Sequence, residues 1–107
     1  MSFQKIPRAG EFYHHLKHDP NDFFSYLYVV VGLSLDTEEG NLEVVYAPLY
    51  DTDQELFNRD LNLFIGTKEV DGKEQPRFRQ VTAAADIKTI RQSGRLGRWR
   101  GVLPSGN

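Results

Sequence analysis

Between Leu27 and Leu35 the chain is apolar on both sides of a strand's alternation, with Leu27, Val29, Val31, Leu33 and Leu35 in one set and Tyr28, Val30, Gly32 and Ser34 in the other. Such a strand belongs inside a sheet, because neither of its faces is suited to water. Gly32 predicts a bulge or a bend within it. An acidic reversal, Asp36-Thr37-Glu38-Glu39-Gly40-Asn41, leads into Leu42–Tyr50, the densest β-forming run of the chain. The two runs predict a hairpin. Pro48 has no amide to donate, so it ends the second strand or lies at an edge. Tyr46 and Tyr50 are expected beside a pocket.

Residues 1–9 read as an arm, since Pro7 and Gly10 discourage regular structure before Glu11. A first strand is predicted over Glu11–Lys17, with Phe12, His14 and Leu16 on one face and Tyr13 and His15 on the other. His18 to Asp22 is a turn by composition. Phe23, Phe24 and Tyr26 are more apolar than a simple loop needs, so this connection is expected to fold back onto the body. Leu56–Phe64 fits a short turn of helix followed by a strand as well as it fits one strand. Asp71-Gly72 marks a two-residue hairpin turn, and 76–81 would be the returning edge strand. Thr82 is placed to cap a helix running from Ala83 to Arg91, which Gly94 would end. The pattern predicts one mainly-β domain over residues 10–81, a small antiparallel barrel or roll, followed by a short helix over 82–93 and a basic, flexible tail over 94–107.

Composition narrows the chemistry. The 107 residues suit one domain, and 39% hydrophobic with 26% charged residues is ordinary for a globular protein. The absence of cysteine removes disulfides, thiol nucleophiles and thiolate metal sites. No apolar segment approaches the roughly 20 residues that span a bilayer, and the start lacks a secretory leader. Cytoplasmic residence away from membranes is the expectation. The net charge of −2 conceals an asymmetry, because every acid lies before residue 87, whereas Lys88, Arg91, Arg95, Arg98 and Arg100 follow it.

Several short matches, taken in order, resemble one family. They are Tyr13, His15 and Lys17; Tyr28, Val30 and Gly32; Val44, Val45, Tyr46, Leu49 and Tyr50; Arg59 and Phe64; Asp71 and Gly72; and Pro76, Arg77 and Phe78. This order is similar to that of the uncharacterised bacterial family called domain of unknown function 1653 (DUF1653), and the resemblance implies an SH3-like barrel. It covers Gly10 to Val81. The chain departs from the family at Asp36, Ala47 and Asp60, where His, Arg and Pro are usual, and His18 to Tyr26 looks like an insertion. The family has no established activity, so the resemblance implies a fold and not a function.

Three constellations carry chemistry. Tyr13, His15, Tyr46, Tyr50, Arg59 and Arg77 combine flat hydroxyl-tipped rings with guanidinium forks, a set suited to an anionic or planar ligand. The alternative is that the arginines pair with Asp51, Asp60 or Glu74 and the tyrosines only pack the core. Arg91, Arg95, Arg98, Trp99 and Arg100 hold the ingredients of single-strand nucleic-acid binding, or else of a tail folded back on the acidic body. Asp51, Asp53 and Glu55 begin like a calcium loop, but the later glycine and glutamate of that pattern are missing. His14 and His15 point to opposite faces of a strand and do not readily share a metal. No metal or cofactor is expected.

The reading favoured by the residues is a non-enzymatic binding module whose partner is an anionic small molecule, a peptide or a nucleic acid. A nucleic-acid-associated protein using the basic tail is the second reading. A small enzyme with His15 as acid or base and Arg59 or Arg77 stabilising an anion is the third. Pairing of two copies through an exposed edge strand stays open.

Overall fold

The computed structural model describes residues 5–101. Its elements in chain order are β1 (Phe12–His15), β2 (Leu27–Leu35), β3 (Leu42–Pro48), β4 (Phe57–Asp60), α1 (Leu61–Ile65), β5 (Thr67–Val70), β6 (Lys73–Pro76), β7 (Phe78–Val81) and α2 (Ala84–Gln92), followed by a 3-10 helix over Gly97–Gly101. The fold is mainly β. Five strands form one antiparallel sheet in the order β4-β3-β2-β1-β7, and β5 and β6 form a separate hairpin.

β2 takes an interior place in the sheet, but its burial is confined to its first half, and Leu33, Ser34 and Leu35 at its far end are exposed. Leu27 and Val29 face one side and Tyr28 and Val30 the other, and all four are buried. The expected irregularity is present as a bulge. Val30 pairs with Tyr46 and Gly32 with Val45, which leaves Val31 as the extra residue. β3 ends at Pro48.

Both faces of the sheet are covered, by different chemistry. Phe12, Leu27, Val29, Ala47, Leu49 and Val81 form the first cluster with Ile90 of α2 and Leu96. Tyr13, Tyr28, Val30, Val44, Tyr46 and Phe78 form the second with Phe64 of α1. Phe64 and Phe78 lie parallel at 4.0 Å, and Tyr13 meets Phe64 edge-on at 5.3 Å. Offset and edge-to-face pairs of this kind add to simple area burial.

Several expectations need correction. The barrel does not close: β4 and β7 are opposite edges of an open sheet, so the form is a roll. The chain between those strands forms α1 and the β5–β6 hairpin. Between 56 and 65 the strand precedes the helix, because the Asp60 carboxylate accepts from the Asn62 amide at 2.9 Å and starts α1 there. The returning strand is broken into β6 and β7 at Arg77, whose amide donates to the Gly66 carbonyl and whose carbonyl accepts from the Leu16 amide. Thr82 is not a helix cap. Ala83 holds that position with no side-chain hydrogen bond, and Thr82 is exposed.

The sequence predicts a basic, flexible tail from Gly94 onward. Instead Leu96 is buried, and Trp99 of the 3-10 helix packs on the first cluster. Apolar surface at these two positions draws the chain back onto the sheet, and the part of the tail beyond residue 101 lies outside the described residues. At the other end, the Glu11 carboxylate accepts from Lys5, the Arg8 amide and the Tyr13 hydroxyl. Burial pulls its pKa upward, but these donors together hold it below the usual carboxylate value. The β5–β6 turn has Asp71 at φ +52° and Gly72 at φ +78°, the paired positive angles of a tight hairpin turn. Among the described residues no helix is long and apolar enough to cross a membrane.

Candidate functional site

The aromatic face of the sheet is not fully closed. At its rim is a cleft of about 220 Å³ lined by His15, Lys17, Tyr26, Tyr28, Tyr46, Tyr50, Phe57 and Arg59. The antiparallel order lays β1, β2, β3 and β4 side by side, so residues far apart in sequence meet there. Tyr46 is opposite Phe57 and Val44 opposite Arg59 across the β3–β4 pair.

The walls are a network of rings. Tyr28 meets Tyr46 edge-on at 5.0 Å and Tyr50 at 5.5 Å, and Tyr46 lies against Phe57 at 5.7 Å. The Tyr28 and Tyr50 hydroxyls share a 2.9 Å hydrogen bond. Burial first, and then this bond, raise the Tyr28 pKa far above the ordinary phenol value, so the hydroxyl stays protonated. Arg59 Nε donates to the Tyr46 hydroxyl at 3.3 Å, and its guanidinium carbon is 5.5 Å from the Phe78 ring centre.

His15 is the electrostatic probe of this cleft. Its ring meets Phe78 edge-on at 5.0 Å, and its Nδ1 accepts from the Lys17 amide at 3.0 Å. The neutral ring therefore carries its proton on Nε2. Burial, followed by the positive charges of Arg59, Lys17, Arg77 and Lys68, pushes its pKa down to about 4. No acidic residue lines the cleft. Among the described residues, neither Arg59 nor Arg77 forms an ion pair with Asp51, Asp60 or Glu74.

Of the six residues expected to form the ligand surface, His15, Tyr46, Tyr50 and Arg59 meet in the cleft. Tyr13 and Arg77 do not line it. Tyr13 is only 1% exposed, its ring is packed on Phe64 and its hydroxyl donates to Glu11 at 3.2 Å. Burial and the Glu11 charge raise its pKa well above the ordinary value. Arg77 Nε donates to the Leu63 carbonyl at 3.1 Å, and its contribution is the charge felt by His15. Lys17, Tyr26, Tyr28 and Phe57 are lining residues absent from the sequence-based set. Tyr28 was detectable, since it sits on the same face of the hairpin as Tyr46; Tyr26 was not, because its position depends on how the loop returns.

The basic C-terminal group is engaged with the protein itself. Arg95 Nη1 donates to the Leu49 carbonyl at 3.0 Å, and its guanidinium is 4.4 Å from the Phe24 ring centre. Arg98 pairs with Glu55 and lies 4.8 Å from the Trp99 ring centre. Arg91 is 6.0 Å from the Phe12 ring, and Arg100 donates to the Arg91 carbonyl. Phosphate contact and base stacking would have to displace these contacts. Among the described residues, no three His, Asp or Glu side chains converge on a possible metal position.

An open antiparallel roll with a cationic, aromatic cleft at its rim is the class of protein that these features define. The sequence pattern of the family described as protein of unknown function (DUF1653) matches residues 11–80. This chain belongs to that family. It is similar to a DUF1653 protein of known crystal structure from Bordetella bronchiseptica, at 29% identity and a TM-score of 0.55, over 72% of this chain and 90% of that one. No curated protein matches the chain.

Proposed function

We propose that the protein is a small binding module whose cleft receives an anionic group attached to, or held beside, a planar one. The observation that carries this reading is the lining of the cleft: Lys17 and Arg59 stand in it beside His15 and no carboxylate does, while Arg77 and Lys68 add positive charge felt by His15. Unpaired positive charge beside low-dielectric ring walls attracts an anion more strongly than the same charge in open water. Arg59 supplies a planar fork of donors, Lys17 a mobile ammonium, and the neutral His15 an Nε2–H donor.

Recognition is favoured over catalysis by the same electrostatics. A histidine with a pKa near 4 is a weak base at neutral pH, and no carboxylate orients it. An amide NMR titration tests the proposal with sulfate as the simple anion and benzoate as the planar one. Saturable shifts are expected at His15, Lys17, Tyr46, Tyr50 and Arg59, stronger for benzoate, and greatly reduced in Arg59→Gln. Shifts of equal size in that variant, or none at these positions, would refute it.

A further inference from the structure

The cationic cleft has a neighbour. A second concavity of about 360 Å³ is lined by Asp22, Phe24, Ser25, Tyr26, Tyr50, Asp51 and Arg95. The two share Tyr26 and Tyr50, whose ring centres are 5.4 Å apart. One wall of rings thus serves both, with Lys17 and Arg59 beyond one side and Asp22 and Asp51 beyond the other.

Tyr26 is the unusual member of that wall. Its φ of +49° is a left-handed conformation that a bulky residue rarely adopts. The loop over-determines it: the His15 amide donates to the Tyr26 carbonyl at 3.0 Å, while the neighbouring Ser25 hydroxyl joins His18 Nδ1 and the Asp19 amide. The residue is 37% exposed, the one aromatic among the large exposed hydrophobic residues described. Strain of this sort persists where the surroundings enforce a particular side-chain position. Here that position is a ring standing between two clefts.

The second concavity has the opposite preference. Asp22 and Asp51 form no ion pair among the described residues, whereas Arg95 is already held by the Leu49 carbonyl and the Phe24 ring. The free chemistry on that side is carboxylate, which accepts hydrogen bonds from N–H groups. Asp51 and Asp53 also line the adjoining open surface, where a continuing phosphate backbone would meet negative charge. The joined site therefore suits a compact ligand with one anionic head, a flat body and an amino edge.

We infer that the two clefts form one site for a nucleoside 5′-monophosphate with an amino-bearing base. This rests on the anion-binding reading of the first cleft. The phosphate occupies the Lys17 and Arg59 side, the base stacks on Tyr26, and its exocyclic amine donates toward Asp22 or Asp51. Aromatic stacking and a guanidinium–phosphate contact are complementary and sequence-tolerant modes of nucleotide recognition.

Calorimetry and amide NMR with adenosine 5′-monophosphate, inorganic phosphate, adenosine and purine riboside 5′-monophosphate test this on the full chain. The adenine nucleotide is expected to bind at least tenfold tighter than phosphate or adenosine, shifting amides in both clefts, with several-fold weakening when the amine is absent. Tyr26→Ala should leave the nucleotide binding no tighter than phosphate binds to the same variant, and Tyr26→Phe should restore the difference. Arg59→Gln should weaken both. Equal affinity for nucleotide and phosphate would overturn the nucleotide inference and leave the anion cleft standing. No binding of either would overturn both. Tighter binding of a short oligoadenylate than of the mononucleotide would overturn the compact ligand in favour of a nucleic-acid strand.

Discussion

On one side of the sheet, Leu27, Val29, Ala47, Leu49 and Val81 are closed over by Ile90 and Leu96; on the other, Tyr13, Tyr28 and Tyr46 pack with Phe64 and Phe78. Neighbouring residues of the same strands supply both sides. Branched aliphatic chains interdigitate under a helix and leave little to carry polar chemistry. Rings are rigid, meet edge-to-face and bring hydroxyls with them, so their packing ends in a rim of gaps and polar tips. On the proposed reading, the difference assigns stability to the aliphatic face and recognition to the edge of the aromatic face.

The largest effect expected is on the aliphatic side. Ile90→Ala empties a fully buried position under α2 and should cost about 2–5 kcal/mol in denaturant unfolding. Sulfate affinity of the folded fraction should stay unchanged. If it falls as well, the faces are coupled and the division fails. Arg59→Gln is the converse experiment. It should lower sulfate affinity about tenfold, or about 1.4 kcal/mol, with a smaller change in unfolding free energy. A stability loss larger than the binding loss would make Arg59 a structural residue.

Tyr28→Phe sharpens the comparison at one bond. It removes the Tyr28–Tyr50 hydroxyl pair and should cost about 1 kcal/mol in stability, leaving the Tyr50 hydroxyl available to a ligand.

Titration of His15 gives a signed test. Its folded pKa of about 4 lies below the ordinary 6.5, so the unfolded chain binds more protons between those values. Keeping it neutral causes no loss of stability above pH 6.5, and stability falls as the pH drops toward 4. His14, held low mainly by burial, acts in the same direction. A bound sulfate should raise the His15 pKa, so sulfate affinity should increase as the pH falls through this window. His15→Gln should flatten that dependence, and an unflattened profile would place the titrating group elsewhere.

The smallest effect belongs to the exposed Arg98–Glu55 pair, where Arg98→Gln should change stability by less than about 1 kcal/mol. A larger loss would show that the C-terminal segment contributes more to closing the aliphatic face than Leu96 and Trp99 alone.

The sequence by itself determined the parts governed by local periodicity. β2 spans Leu27–Leu35 as read, the bulge lies beside Gly32, Pro48 ends β3 and Asp71-Gly72 turns a hairpin. Each follows from side-chain alternation or from backbone angles that only a few residue types tolerate. The family resemblance was also carried in the order of short motifs. Tertiary structure decided what depends on distant partners. β1 lies between β2 and β7, the sheet stays open, Leu96 returns to the core, and Tyr26 and Lys17 join Arg59 at one cleft. Alternation records which side of a strand is apolar, but not which strand will pair with it or which loop will fold over its end. Burial of non-adjacent apolar surface and pairing of backbone hydrogen bonds settle those choices, and they act only once the whole chain is collapsed.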